Sequence, residues 1–161
     1  PEMYQPDNDY ATILRFAIRS ALIDAVKIEG SLDEDDIDDI AGQAVDLGSV
    51  PIIVIRADQG AKADELVQKM ESRWDLEAKT FELAVPVQTK EDIQALEDAA
   101  KTFHEAHHDA TVIPHPIGKI AKEAMLQGQT FGAPLLYTTD GEETETLPTS
   151  TAIHKLLHPE E

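Results

Sequence analysis

Apolar runs of strand length alternate with amphipathic runs of helix length along this chain, and no other feature narrows its possible folds so sharply. Residues 9–20 (DYATILRFAIRS) place Ile13, Leu14, Ala17 and Ile18 at helical spacing. Residues 23–29 (IDAVKIE) read as a strand ended by Gly30-Ser31. Ser31-Leu32-Asp33-Glu34 matches a capping box, and Ile37, Ile40, Ala41, Ala44 and Val45 then form one helix face that Gly48 stops. Further strands are expected at 50–56 (VPIIVIR), 80–85, 110–114 (ATVIP) and 132–138 (GAPLLYT). Between them, residues 63–74 form a helix with Leu66, Val67 and Met70 inside. Thr89 caps another, with Ile93, Leu96, Ala100 and Phe103 on one face. Residues 117–126 form the next, and Pro148-Thr149-Ser150 opens a last one ending near Leu157. Strand–helix alternation at this spacing predicts right-handed βαβ units and a parallel α/β sheet, either an open doubly wound sheet or a (β/α) barrel.

Composition removes whole classes of function. The 161 residues suit one domain, 1–161, with room for a sizeable core, and they contain no cysteine. Disulfides, thiolate metal sites and cysteine nucleophiles are therefore excluded, and the cytoplasm is the expected compartment. A formal charge of −19 opposes binding to nucleic acid or to an anionic membrane surface, both of which need a surplus of Lys and Arg. The acid is spread over many helix faces, as a solubility device or an adaptation to a high-salt cytoplasm would spread it. No apolar run is long enough to span a bilayer, and the polar start Pro1-Glu2-Met3-Tyr4-Gln5 does not look like a signal peptide. Pro1 is not an initiator residue, so an upstream segment is expected.

Three local motifs invite chemistry. His104-Glu105-Ala106-His107-His108 fits the HExxH zinc-hydrolase pattern, in which two imidazoles one turn apart hold the metal and Glu105 serves as base. It falls at the polar end of a helix, where histidines also complement the helix dipole, so a solvated helix end is the expected reading and no metal is assigned. Residues 33–39 (DEDDIDD) lack the turn glycine and alternating ligands of a calcium loop and carry Ile37 at core spacing, so they read as a solvated helix face. No glycine-rich phosphate loop follows any strand, and no nucleophile elbow is present. In a barrel, functional groups lie at the C-terminal strand ends, which here carry Glu29, Arg56-Ala57-Asp58, Glu82, His115 and Thr138-Thr139.

Taken in order, LRFAIRS (14–20), IDAVKIE (23–29), FELAVPVQTK (81–90), IGKIAK (117–122), GAPLLY (132–137) and LPTS (147–150) resemble segments of the type I 3-dehydroquinate dehydratases, the Schiff-base lyases of the shikimate pathway. The resemblance covers nearly the whole chain and begins after that family's third strand. It implies a partial (β/α)₈ barrel of five parallel strands, truncated at its N-terminus, and it implies no cofactor. In that family a strand lysine forms an imine with the substrate ketone. A histidine held by a glutamate moves the proton, and an arginine and a glutamine grip the substrate. By resemblance Glu29 matches the glutamate, whereas Glu82 stands at the imine lysine and Ala57 (Ile55 without a gap) at the histidine. Lys122 stands at the arginine and Ser150 at the glutamine. A carboxylate cannot form an imine and an alanine cannot move a proton, so the resemblance implies a member inactive in dehydration. A non-catalytic binder of a small, quinate-like carboxylate, using Lys122 and Ser150, is the alternative.

Two structural expectations follow. Lys27 shares a strand face with Glu29, where the family usually has aspartate, and Glu82 replaces a lysine. This pattern is a charge swap that predicts Lys27 and Glu82 pointing inward as an ion pair. Five strands cannot close an eight-stranded barrel, so an open, curved sheet is expected, its edges covered by a missing N-terminal half or by a second copy in a homodimer.

Overall fold

A computed structural model describes residues 24–159. The helix expected at 9–20, and Ile23 at the start of the first strand, lie outside the described residues. Four strands form one parallel sheet in the order β1-β2-β3-β4: β1 Ala25–Glu29, β2 Val50–Arg56, β3 Thr80–Pro86 and β4 Thr111–Ile117. Helices follow each of them: α1 Glu34–Asp46, α2 Ala63–Glu71, α3 Lys90–Ala106 and α4 Lys119–Leu126, with α5 Ser150–Leu157 last. Sequential parallel neighbours joined through helices make this an α/β fold of the barrel type.

Each strand alternates its side chains between two faces. The register sets Glu29, Val54, Glu82 and Ile113 side by side on one face, with Arg56, Ala84 and His115 in the next rung. The other face carries Val26, Ile28, Ile53, Ile55, Phe81, Leu83, Val85 and Val112, which pack with the buried stripes of the helices into one core. Phe81 and Phe103 are fully buried and meet edge to face at 5.3 Å, with Trp74 against both. Burying one such side chain contributes about 1.5–3 kcal/mol. Lys79 lies over the Trp74 ring on this helix side, on the face opposite Glu82, as strand alternation requires.

Several boundaries differ from the sequence reading for identifiable reasons. The expected capping box at Ser31 is not formed. The helix starts at Glu34 after an extended Asp33 with no side-chain cap bond, because the Glu34 carboxylate is drawn to Arg73 Nη1 at 2.8 Å. Val45 is half exposed rather than part of the core face, and Ala99 rather than Ala100 is buried on α3. The Thr89 cap is formed: its hydroxyl accepts from Asp92 N at 3.1 Å, and Asp92 accepts from the Thr89 and Gln88 amides. Those amides, Gln88 first, hold the Asp92 carboxyl below its usual range. Thr149 likewise caps α5 through Ala152 N.

The largest correction is the fifth strand. Residues 132–138 form no ladder with any described strand, and the only pairing nearby is an isolated parallel bridge between Thr139 and Thr149. Two causes act together. Phe131 and Gly132 both take positive φ (58° and 68°), which turns the chain out of an extended path, and Pro134 follows. The receiving edge also lacks donors. Thr111 N and Ile117 O face β3, so by alternation residues 112, 114 and 116 face outward. Pro114 and Pro116 leave that edge with one amide hydrogen where three would stand.

Candidate functional site

The face of the sheet turned away from the helix core gathers the charged strand residues. β1 supplies Lys27 and Glu29, β2 supplies Arg56, β3 supplies Glu82, and β4 supplies His115. They converge because parallel strands in register put the same-face residues of consecutive strands beside one another.

Glu82 is the centre. Its side chain is 3% exposed, and a carboxylate so buried costs several kcal/mol unless it is paired. Lys27 Nζ reaches it from one strand beyond β2, at 2.7 Å from Oε1. The Tyr137 hydroxyl donates to the same oxygen. His115 Nδ1 stands 3.8 Å from Oε2, an electrostatic contact too long for a hydrogen bond, and that nitrogen is buried without a hydrogen-bond partner. Lys27 Nζ also lies 3.9 Å from the centre of the Tyr137 ring, and that ring stacks on His115 at 4.1 Å. Burial alone would raise the Glu82 pKa. The facing His115, Lys27 and Tyr137 groups outweigh it and bring the pKa down to about 2. Burial, then the neighbouring Glu82 carboxylate, pushes the Tyr137 hydroxyl up. The expected inward ion pair of Lys27 and Glu82 is therefore present.

The other sequence-derived residues are separately engaged. Arg56 grips Glu29 through Nε and Nη2, at 2.8–3.2 Å, in the two-pronged geometry that suits a carboxylate. Ala57 lies just past β2, half buried against the core. Lys122 Nζ donates to the Glu143 carboxylate and, at 2.6 Å, to Thr144 O. Ser150 Oγ donates to Asp140 Oδ1 at 3.1 Å. The acidic stretch 140–144 thus folds back onto both residues expected to grip an anion.

The HExxH geometry is not formed. Helix α3 ends at Ala106, so His108 lies beyond it rather than one turn along. His104 Nδ1 donates to Ala110 O at 2.9 Å, and the two rings stand 6.1 Å apart and nearly perpendicular. His107 instead pairs with Glu71 at 2.8 Å and stacks on Trp74. The sequence reading missed two members of the central cluster. From the sequence, His115 reads only as a strand end, and Tyr137 only as part of a strand that does not form. A polar residue between two strand prolines, Pro114-His115-Pro116, was the available signal.

Comparison with known proteins adds a family pattern to this geometry. Residues 2–160 match the family model described as type I 3-dehydroquinase. The 3-dehydroquinate dehydratases of Salmonella paratyphi B and Salmonella heidelberg are each 28% identical over 126 residues, which is 77% of this chain and 50% of theirs. The chain therefore spans half the length of the curated relatives it matches. Among solved structures, type I 3-dehydroquinate dehydratase from Clostridium difficile superposes with a TM-score of 0.80 at 19% identity, over 99% of this chain and 63% of that one. The Geobacillus kaustophilus enzyme superposes with a TM-score of 0.76 at 16% identity, over 99% and 63%.

Proposed function

The chain belongs to the type I 3-dehydroquinase family, and on that premise we propose that it is a degenerate member, silent in the conversion of 3-dehydroquinate to 3-dehydroshikimate. One observation carries the reading. The side chain standing at the imine-forming position, Glu82, is a buried carboxylate locked to Lys27 and Tyr137. It offers no amine to a ketone. Lys27 is the amine nearest that position, and it is committed to Glu82 and to the ring face of Tyr137.

The acid–base step is equally unsupported. Glu29 matches the glutamate that would orient a histidine, but Arg56 takes both of its oxygens and the aligned neighbour is Ala57. Loss of general acid–base help alone lowers a rate by about 10²–10⁴-fold. A carboxylate-binding role for Lys122 and Ser150 gains no support, since acidic residues of the chain itself occupy both. The cysteine-free composition supports a cytoplasmic setting, and the high acid content a salty one. Among the described residues, no helix is long and apolar enough to cross a membrane.

The test is incubation with 3-dehydroquinate and borohydride, followed by intact-mass analysis and an absorbance assay for the dehydrated product. The expected result is no product above background and no reduced adduct. Turnover accompanied by an adduct on Lys27 would overturn the proposal.

A further inference from the structure

Residues 140–147 leave the body of the chain and return to it at one point. Thr139 N donates to Pro148 O at 3.0 Å and Ser150 N to Thr139 O at 2.9 Å, so the ends of the loop meet beside the Thr139–Thr149 bridge. Compact loops closed at their ends in this way are usually packed by their own side chains. Here residues 140–145 are all exposed, and four of the six are carboxylates: Asp140, Glu142, Glu143 and Glu145. Within the loop Thr144 N donates to Leu147 O at 3.0 Å, and Leu147 N to Thr144 Oγ1 at 2.9 Å.

Polar contacts hold the tip of this loop to the body. Lys122 Nζ, from α4, donates to the Glu143 carboxylate and to Thr144 O at 2.6 Å, and Ser150 Oγ donates to Asp140. Thr146 and Leu147 then line, with Tyr137 and His115, a space of about 10 Å³, which is room for at most one water. The latch and the remaining acids differ in their contact with solvent. The Lys122 side chain is only 12% exposed. Glu142 and Glu145 stand in water, in a chain of net charge −19.

That difference gives closing and opening forces unequal responses to salt. The carboxylates of the loop repel one another and the acidic body through water, over about 10 Å at 0.1 M salt but only about 3 Å at 1 M. The Lys122 contact lies largely out of water, and partly buried pairs are screened much less. Rising salt therefore removes more of what lifts the loop than of what holds it. We propose that residues 140–147 form a strap closed by ionic strength, lifted from Lys122 in dilute salt and latched on it in concentrated salt. Closed, it shields the Tyr137 and His115 side of the Glu82 cluster from water. The device acts whether or not the chain turns over a substrate.

The experiment is amide hydrogen exchange of the full chain in about 0.1 M and about 1 M potassium chloride. Thr144 and Leu147 report the strap, and the amides of β2 report global unfolding. Thr144 and Leu147 are expected to be less protected than β2 and to gain protection as salt rises. Glu143→Gln removes the latch and lowers their protection about tenfold at the higher salt, as loss of one charged hydrogen bond does, with β2 unchanged. The same chemical change at both Glu142 and Glu145, outside the latch, acts in the opposite sense and raises their protection in dilute salt. Protection equal to that of β2, or constant or falling with salt, would overturn the proposal. So would a Glu143→Gln chain as protected as the parent, or a Glu142→Gln, Glu145→Gln chain no better protected than the parent in dilute salt.

Discussion

The two faces of the sheet solve burial in opposite ways. The helix-side face is held by apolar packing, with Phe81, Phe103, Ile53 and Leu83 fully buried. The opposite face buries a carboxylate, Glu82, and holds it by an ammonium, a phenol and an imidazole edge. Apolar packing is non-directional and adds stability roughly in proportion to the area buried. An ion pair must first offset desolvation, so it specifies which side chains meet more than it stabilises them. The charges of the polar face are matched to one another: Glu82 to Lys27 and Glu29 to Arg56.

The sharpest way to break the contrast is on the packed face. Phe103→Ala removes a fully buried ring that touches Phe81, Trp74 and His107, and is expected to cost about 3–5 kcal/mol in urea unfolding. A loss below about 1 kcal/mol would mean that this face is not the main source of stability.

Acid probes the polar face. The Glu82 pKa is about 2 in the folded chain, against 4.5 for an unperturbed glutamate. A depressed folded value means the stabilisation is complete above the unfolded pKa and is lost as pH falls through the folded one. The contribution, on the order of 3 kcal/mol, should therefore fade between about pH 4.5 and pH 2. Glu82→Gln should flatten stability across that window. A Gln variant with the same acid profile as the parent would assign the effect to other carboxylates.

The smallest effect concerns the pair itself. Lys27 is 44% exposed, so its removal should cost less than the loss of a partner from a fully buried pair, about 2 kcal/mol for Lys27→Met. Replacing Glu82 with leucine in the same chain should recover most of that loss. Strict additivity of the two single changes in a double-mutant cycle would show that they do not interact.

Much of the architecture was legible because local patterns report local structure. β2, Val50–Arg56, agrees residue for residue with its β-branched run, and Thr89 and Thr149 cap helices as hydroxyls before apolar periodicity do. The Lys27–Glu82 pair was legible too, since two charge reversals on inward positions of nearby strands have one economical explanation. Ser31 as a cap was misread because Glu34 had a better partner in Arg73, which is 39 residues away.

The sequence by itself determined the strand and helix periods, the helix-side core and the family. Each of these depends on spacing of a few residues or on ordered motifs. Only the tertiary structure decided which groups complete the polar site and where the sheet stops. Tyr137 reaches Glu82 across 55 residues because the segment expected to be a fifth strand leaves the extended path at Phe131 and Gly132. That segment cannot be received as a fully bonded strand, because Pro114 and Pro116 withhold two amide hydrogens on the outward edge of β4. A strand pattern states what a segment can do alone, and pairing also requires donors on the neighbour that the fold presents to it.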